Sequence, residues 1–366
     1  MREHFLTRKD SDMLSMHPKV LYKIVKNYRY QINSHRLLNL FKVMISMAVS
    51  RILKHPIIMG YPLLLMVEPT NRCNLKCPMC PSGSGELTRT LGKLKLDLFS
   101  QIIDDIGDHL ILIQFWNQGE PFLHEDLLDM VKLAKSKGIP TMTSTNGHFL
   151  NSLEHVENII DSGLDEIIVS LDGVDQTTYE KYRIGGNFQR VVNGIRKLSK
   201  AKEKHKTKRP LINLQFLVLK HNQHQIDRLV KLAKELHVDI LTLKSVQVYN
   251  RNQAKQFLPD NRKYRRYVYQ RDFYRLKSQI KNWCYYLWYG SVLNWDGTIV
   301  PCCFDKNCDY PIANLSQFNS SFYDIWKGKE LQNFRKKILK QRRDIDMCKN
   351  CFEGLSQPMV YYFPIS

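Results

Sequence analysis

Six short apolar runs alternate with helical patterns between residues 62 and 245, and this alternation constrains the fold more than any other feature of the chain. Pro62-Leu-Leu-Leu-Met-Val-Glu68 and Leu110-Ile-Leu-Ile-Gln-Phe-Trp116 read as buried strands, and Thr141–Ser144, Glu166–Leu171, Ile212–Leu219 and Ile240–Lys244 continue the series. Helical periodicity fills the intervals near 97–107, 125–137, 151–162, 187–201 and 223–237, with Gly138 placed to stop the second of these. Short apolar strands separated by helices imply an α/β fold, a parallel sheet closed or wound by right-handed crossovers. A chain of 366 residues, 43% of them hydrophobic, has enough apolar material for that core and one smaller domain.

The segment Asn71-Arg-Cys-Asn-Leu-Lys-Cys-Pro-Met-Cys80 sets Cys73, Cys77 and Cys80 at C-x3-C-x2-C spacing, and the next cysteine, Cys284, comes 204 positions later. Thiolates are the usual ligands of an iron–sulfur cubane. A loop that offers three thiolates and no near fourth leaves one iron open to a non-protein ligand, which points to a catalytic site rather than a pure electron carrier. A zinc site would want a nearby fourth Cys or His. The nine cysteines gather at 73–80 and 284–351, which reads as metal ligation in a reducing compartment rather than a disulfide framework. The first ten residues lack the apolar core of a signal peptide. These features point to a cytoplasmic protein, with a peripheral position on the inner membrane face as a variant of that reading.

The net charge of +20 is carried in blocks. Residues 1–60 hold 11 Lys/Arg against 3 Asp/Glu, residues 196–210 hold eight against Glu203, and residues 251–282 hold ten against Asp260 and Asp272. Such blocks attract phosphates, anionic lipid or an acidic substrate, or else form a solvated basic surface. No nucleic-acid recognition module accompanies them. Residues 37–50 are the most apolar N-terminal run, interrupted by Asn39 and Lys42 and too short to span a bilayer. Two readings stay open for that run: a helix packed against the main domain, or an amphipathic helix lying on a membrane face with Arg36, Arg51 and Lys54 beside it. Residues 249–282 are basic and Tyr-rich with little strand signal, and read as a linker helix. Beyond them, Ser291–Val300 carries a hairpin signal that turns on Asp296-Gly297.

The cysteine loop follows directly on the first strand, the end at which barrel-type α/β domains keep their active sites. In this it resembles the radical S-adenosylmethionine (SAM) superfamily, over about residues 62–245. The resemblance implies a partial (β/α)6 barrel at 61–248, behind a basic helical extension at 1–60. Cys73, Cys77 and Cys80 would hold a [4Fe-4S] cluster whose open iron binds SAM. Gln118-Gly-Glu-Pro121 resembles the family's Gly-Gly-Glu-Pro motif, so Gly119 and Glu120 would hold the methionyl amine. Gln118 stands in place of the first glycine. Asn146, in Thr145-Asn-Gly147, follows the third strand. Ser170-Leu-Asp-Gly173 resembles the family's Ser-x-Asp-Gly segment, with Ser170 toward the SAM carboxylate and Asp172 toward the ribose. Arg183 falls where related enzymes bind that carboxylate, and Met79 where they pack a side chain on the adenine. An electron donor such as flavodoxin or ferredoxin is implied.

Cys284, twelve residues, Gly297, four residues, Cys302 and a later Cys348-Lys-Asn-Cys351 resemble the SPASM/twitch extension of these enzymes. That implies a small domain at 283–366, after the linker at 249–282, with an auxiliary [4Fe-4S] cluster on Cys284, Cys302, Cys348 and Cys351. Six C-terminal cysteines are too few for the seven-cysteine, two-cluster arrangement, so the twitch-like single cluster is expected. Cys303 and Cys308 are then spare, with Cys303 an alternative to Cys302. The competing reading there is a zinc ribbon. The implied activity is hydrogen abstraction from a peptide or small-molecule substrate, anionic if the basic blocks bear on it, as part of a two-electron oxidation or maturation. Asp305 and the Tyr and Arg residues of 249–275 are candidate proton acceptors. The alternative class is a non-catalytic iron–sulfur or zinc scaffold, with a membrane-associated form as a variant of that reading.

Overall fold

The computed structural model describes residues 16–28, 32–270, 273–277, 279–316, 321–351 and 359–365. The expected strands are β1 (Leu64–Val67), β2 (Leu112–Phe115), β3 (Thr141–Thr145), β4 (Glu166–Ser170), β5 (Leu211–Val218) and β6 (Ile240–Ser245). They pair in parallel and in chain order. Helices occupy each interval. Leu96–Ile106 buries Phe99, Ile102, Ile103 and Ile106, the i, i+3, i+4, i+7 stripe of a helix packed on a sheet. Ser152 and Asn187 cap the helices at Leu153–Asp161 and Phe188–Lys204 by accepting backbone N–H groups of His155 and Arg190.

Side chains on each strand sort by face. Leu65, Val67, Ile113, Phe115, Ile167, Val169, Leu214, Phe216, Leu241 and Leu243 join the helices in one apolar core. Met66, Ser144, Ser170, Gln215 and Lys244, together with Trp116 just beyond β2, instead line one cavity. In a flat sheet β1 and β6 would stand about 24 Å apart, five spacings of about 4.8 Å. That both reach the same cavity shows the sheet is curled into a partial barrel.

The C-terminal segment does not stand off as a separate sheet. After the short helix Arg251–Phe257, the stretch expected to be a helical linker forms an antiparallel ladder of β7 (Tyr267–Gln270) and β8 (Phe273–Leu276). Then β9 (Gly290–Leu293) pairs in parallel with β1, and β10 (Thr298–Val300) and β11 (Ala313–Asn314) continue outward from it. The turn between β9 and β10 holds Gly297 at φ +86°, as its Asp-Gly sequence requires. At the other edge β12 (Val360–Pro364) pairs antiparallel with β6. The result is one ten-stranded sheet with the parallel strands in its middle.

Two N-terminal helices, α1 (Pro18–Tyr28) and α2 (Ser34–Leu53), cross the base of the barrel; residues 1–15 of the basic extension lie outside the described residues. Asn27 donates to Asp165 O just before β4, and Lys23 to Asp239 O just before β6. Arg36 donates to Gly138 O (2.6 Å) and Lys137 O (2.8 Å) ahead of β3. Asn39 donates to Tyr61 O and His109 O and accepts from Tyr61 N–H, while Ser50 accepts from Trp288 Nε1. Thus α2 does pack on the main domain, but through Arg36, Asn39, Ser46 and Ser50 rather than its apolar side chains. Asn39→Ala leaves three backbone groups without their partner and is expected to cost about 2 kcal/mol. A fall in the urea midpoint checks this, and an unchanged midpoint would show that the helix contributes nothing to holding the base.

Candidate active site and cluster cavities

The cavity at the C-terminal ends of the strands has a volume of about 400 Å³. Cys73, Cys77, Cys80 and Met79 line it, as do Gly119, Glu120, Asn146, Ser170 and Arg183. The cysteine loop and the Glu120 loop are clipped together. Glu120 N–H donates to Arg72 O (2.7 Å), Gly119 N–H to Ser82 Oγ (3.1 Å), and Cys80 Sγ lies 3.8 Å from Gln118 Oε1. Gly119 sits at φ +80°, and a Cβ there would fall 2.4 Å from Thr70 O, so only glycine lets the loops approach this closely.

Glu120 is fully enclosed. Its carboxylate accepts from Thr145 Oγ1 (2.7 Å), Asn146 N–H (2.7 Å) and Phe122 N–H (3.3 Å). Burial pushes its pKa up to about 7, and those hydrogen bonds oppose the rise. Burial likewise pushes Cys73 up to about 11 and raises Cys77, where Arg183 acts in the other direction. Arg183 Nη1 lies 3.8 Å from Cys77 Sγ, and its Nε donates to Asp172 at 2.6 Å. Asp172 is not among the cavity-lining residues; its other oxygen accepts Leu217 N–H at 2.6 Å. Each Asp172 oxygen thus holds a group of the protein itself, and the pair with Arg183 fixes the direction of that guanidinium.

The same cavity is lined by Lys244 of β6, Lys306 and Cys303, which the sequence pattern did not point to here, and by Tyr249 and Arg266 from the candidate Tyr and Arg residues of 249–275. Burial lowers the Lys244 pKa, and Arg266 lowers it further. Tyr249 also borders an outer groove of about 770 Å³, whose charged lining residues are Arg251, Arg275, Lys277, Arg343 and Lys349.

A second, smaller cavity of about 80 Å³ gathers Cys284, Cys302, Cys303, Cys348 and Cys351 among Tyr286, Leu287, Phe334 and Ile338. Cys303 and Phe304 line both cavities and form the wall between them. Burial pushes Cys348 up to about 11, with the neighbouring Arg342 guanidinium opposing it. Cys308 lies apart, at φ +63°, and is not among the residues lining this cavity. Asp305 is also not a cavity residue: it is 1% exposed and accepts Asp309 N–H (2.7 Å) and Tyr310 N–H (3.0 Å), so it shapes a turn rather than facing a substrate. Among the described residues no three His, Cys, Asp or Glu groups converge as a single metal ion requires. A cubane asks for less, because each thiolate binds a different iron.

Radical SAM superfamily models match residues 67–233, and the iron–sulfur cluster-binding SPASM domain matches residues 284–352. The chain thus carries a radical SAM domain followed by an iron–sulfur cluster-binding SPASM domain. A [4Fe-4S] cluster with SAM, and auxiliary iron–sulfur binding, come with those domains, and two separate thiol-lined cavities fit that donor demand. The chain is 31% identical over 199 residues to the tungsten-containing aldehyde ferredoxin oxidoreductase cofactor-modifying protein of Pyrococcus furiosus, 54% of this chain and 55% of that one. It is 28% identical over 190 residues to the PqqA peptide cyclase of Bradyrhizobium diazoefficiens, 52% of this chain and 48% of that one. The matches thus span about half the length of these curated relatives. Streptococcus suis SuiB bound to S-adenosylmethionine superposes with a TM-score of 0.60 at 15% identity, covering 92% of this chain and 83% of that one. BtrN in complex with AdoMet and 2-DOIA gives 0.51 at 19%, covering 81% and 95%. These likenesses establish the shared fold.

One buried ion pair holds both cavities in place. Arg89 forks onto Glu68 at 2.6 and 2.7 Å and donates through Nε to Lys306 O at 2.8 Å. Arg89→Met strands a buried carboxylate and is expected to destabilise the fold by about 3–5 kcal/mol. Glu68→Gln with Arg89→Met together should recover part of that loss. Chemical denaturation of the four proteins of the cycle tests this, and a single variant as stable as the parent would remove the pair from that role.

Proposed function

We propose that this chain is a radical SAM oxidoreductase acting on an acidic peptide segment, with one auxiliary [4Fe-4S] cluster. The observation that carries the reading is the composition of the main cavity. Three thiols and the residues assigned to SAM line it together with the cations Lys244, Arg266 and Lys306. One-electron cleavage of SAM to a 5′-deoxyadenosyl radical, which takes hydrogen from the substrate, is the chemistry the first cluster supplies when bound.

In this reading Cys73, Cys77 and Cys80 are the ligands of that cluster. Glu120 pairs with the ammonium of SAM, to which a carboxylate offers a charge-assisted hydrogen bond. Arg183, held by Asp172, draws the SAM carboxylate, while Ser170 and Asn146 offer polar contacts beside it. Met79 presents an apolar face to the adenine. Lys244 and Arg266 hold an acid group of the substrate in a site where burial strengthens the attraction. Cys284, Cys302, Cys348 and Cys351 form a fully ligated site without an open iron, which suits electron passage after hydrogen abstraction. The basic groove leading past Tyr249 favours a peptide over a small molecule, since it extends the binding surface well beyond one residue. PqqA peptide cyclase and SuiB, solved bound to precursor peptide SuiA, are relatives whose names carry peptides.

Anaerobic reconstitution tests the cluster assignment. The parent should hold about eight irons per chain and release 5′-deoxyadenosine from SAM under reduction. Cys77→Ala should cleave no SAM, and Cys348→Ser should lose about four irons yet still cleave it. Retained cleavage in the first variant, or zinc in place of iron, would refute the reading. Fluorescence anisotropy of a labelled polyglutamate peptide tests the groove. Paired substitution of Arg251→Glu and Arg275→Glu should weaken binding at least tenfold, and equal binding by parent and variant would return the choice to a small-molecule substrate.

A further inference from the structure

The base of the barrel carries a surface that the catalytic reading does not use. On α2 the residues turned inward are Arg36, Asn39, Val43, Ser46 and Ser50, a single stripe that is polar at four of its five positions. The opposite side presents Leu37, Leu38, Phe41, Met44 and Ile45, each between 44% and 59% exposed. This reverses the usual arrangement of a surface helix, whose apolar stripe faces the core. The reversal is built in, because each inward polar side chain has a named partner: Arg36 on Gly138 O, Asn39 on Tyr61 O, Ser46 on Met59 N–H and Ser50 on Trp288 Nε1. Leu21, Tyr22 and Val25 extend the exposed apolar character onto α1. Eleven of the eighteen large apolar side chains exposed among the described residues fall between Leu21 and Leu53.

Charge decides what covers this face. Residues 16–60 contain eight Lys/Arg and no Asp or Glu. Lys19, Lys26, Lys42, Arg51 and Lys54 are exposed around the apolar side chains. A second copy of the chain would bring the same cations to the contact, which opposes pairing of the face with itself. The headgroup region of an anionic bilayer satisfies both features at once: acyl chains for the apolar residues and phosphate for the cations. No described helix is long and apolar enough to cross a membrane, so contact along the surface is the mode these helices allow.

We propose that α1 and α2 form a docking surface for anionic phospholipid bilayers. The helices meet the N-terminal ends of the strands, and the catalytic cavity opens at the C-terminal ends. Docking therefore turns the cavity mouth away from the lipid, so the substrate arrives from the aqueous side. This inference does not depend on the proposed reaction.

Sedimentation of the full-length, reconstituted chain with vesicles tests it. The chain should bind phosphatidylcholine vesicles containing about 30% phosphatidylglycerol and bind pure phosphatidylcholine at least tenfold more weakly, with release as salt rises. The double substitution Phe41→Asp with Ile45→Asp should weaken binding at least tenfold, as should Lys42→Glu with Arg51→Glu. All four positions are exposed, so iron content and SAM cleavage should stay at parental levels and report an intact fold. Absence of binding to the anionic vesicles, or equal binding by the Phe41/Ile45 variant, would overturn the proposal. So would sedimentation velocity showing a dimer that the same variant converts to a monomer, since the face would then be a self-contact.

Discussion

The buried pair of Glu68 and Arg89 is the interaction on which both thiol sites depend. Glu68 follows β1 directly and is fully buried; it also accepts N–H groups from Gln118 (3.2 Å) and Trp295 (3.4 Å). Arg89 lies on the segment that returns from the cysteine loop, and it reaches the backbone of Lys306 three residues beyond Cys303. One carboxylate thus fastens the cysteine loop's return, the Glu120 loop and the C-terminal hairpin. A buried ion pair adds little net stability once desolvation is counted. Its effect here is geometric: a bidentate fork fixes direction as well as distance, so the two cavities keep a constant separation.

That constancy is reinforced by the sheet. Pairing of β9 with β1 and of β12 with β6 makes the C-terminal segment part of the barrel rather than an appendage. The neighbouring residues Cys303 and Phe304 are the ones the two cavities share. A hinge between two domains would let that distance drift, whereas backbone pairing along four residues of β1 does not. The position of Cys303 also explains why spacing alone left it competing with Cys302: both thiols line the auxiliary cavity, and only Cys303 reaches the other one.

The strands, the helices between them and the order of the SAM-type motifs were legible because each rests on local pattern: periodicity of 2 or 3.6, or a few fixed spacings. What escaped depends on partners far apart in sequence. Nothing near Leu64 announces pairing with Gly290. Nothing near Lys244 announces Arg266, which approaches from the segment read as a linker. Asp305 carried the right chemistry for its expected role, yet its carboxylate accepts the N–H groups of Asp309 and Tyr310 and does not line the cavity. At the apolar run 37–50 a packed helix was legible, but the face it packs through was not. The carbonyls of the loops that enter parallel strands end at the base of the barrel and need donors. A helix covering them gains more from Arg36 and Asn39 than from Leu37 and Leu38.

Two groups of the chain's cations act by different physics. Lys244 and Arg266 line the main cavity, where partial burial lowers the local dielectric and limits screening by ions in solution. In the proposed reading their attraction acts over a few ångströms with little sensitivity to salt, and so favours one acid group at one position. The cations of α1 and α2 are exposed, and at physiological ionic strength each is screened within about 8 Å. They act only in number and only against a dense array of negative charge, which a phospholipid surface provides and a single substrate molecule does not. Net charge alone does not distinguish these roles. Depth of burial does, and the same helices that leave their apolar face outward keep their own cations on the side away from the cavity mouth.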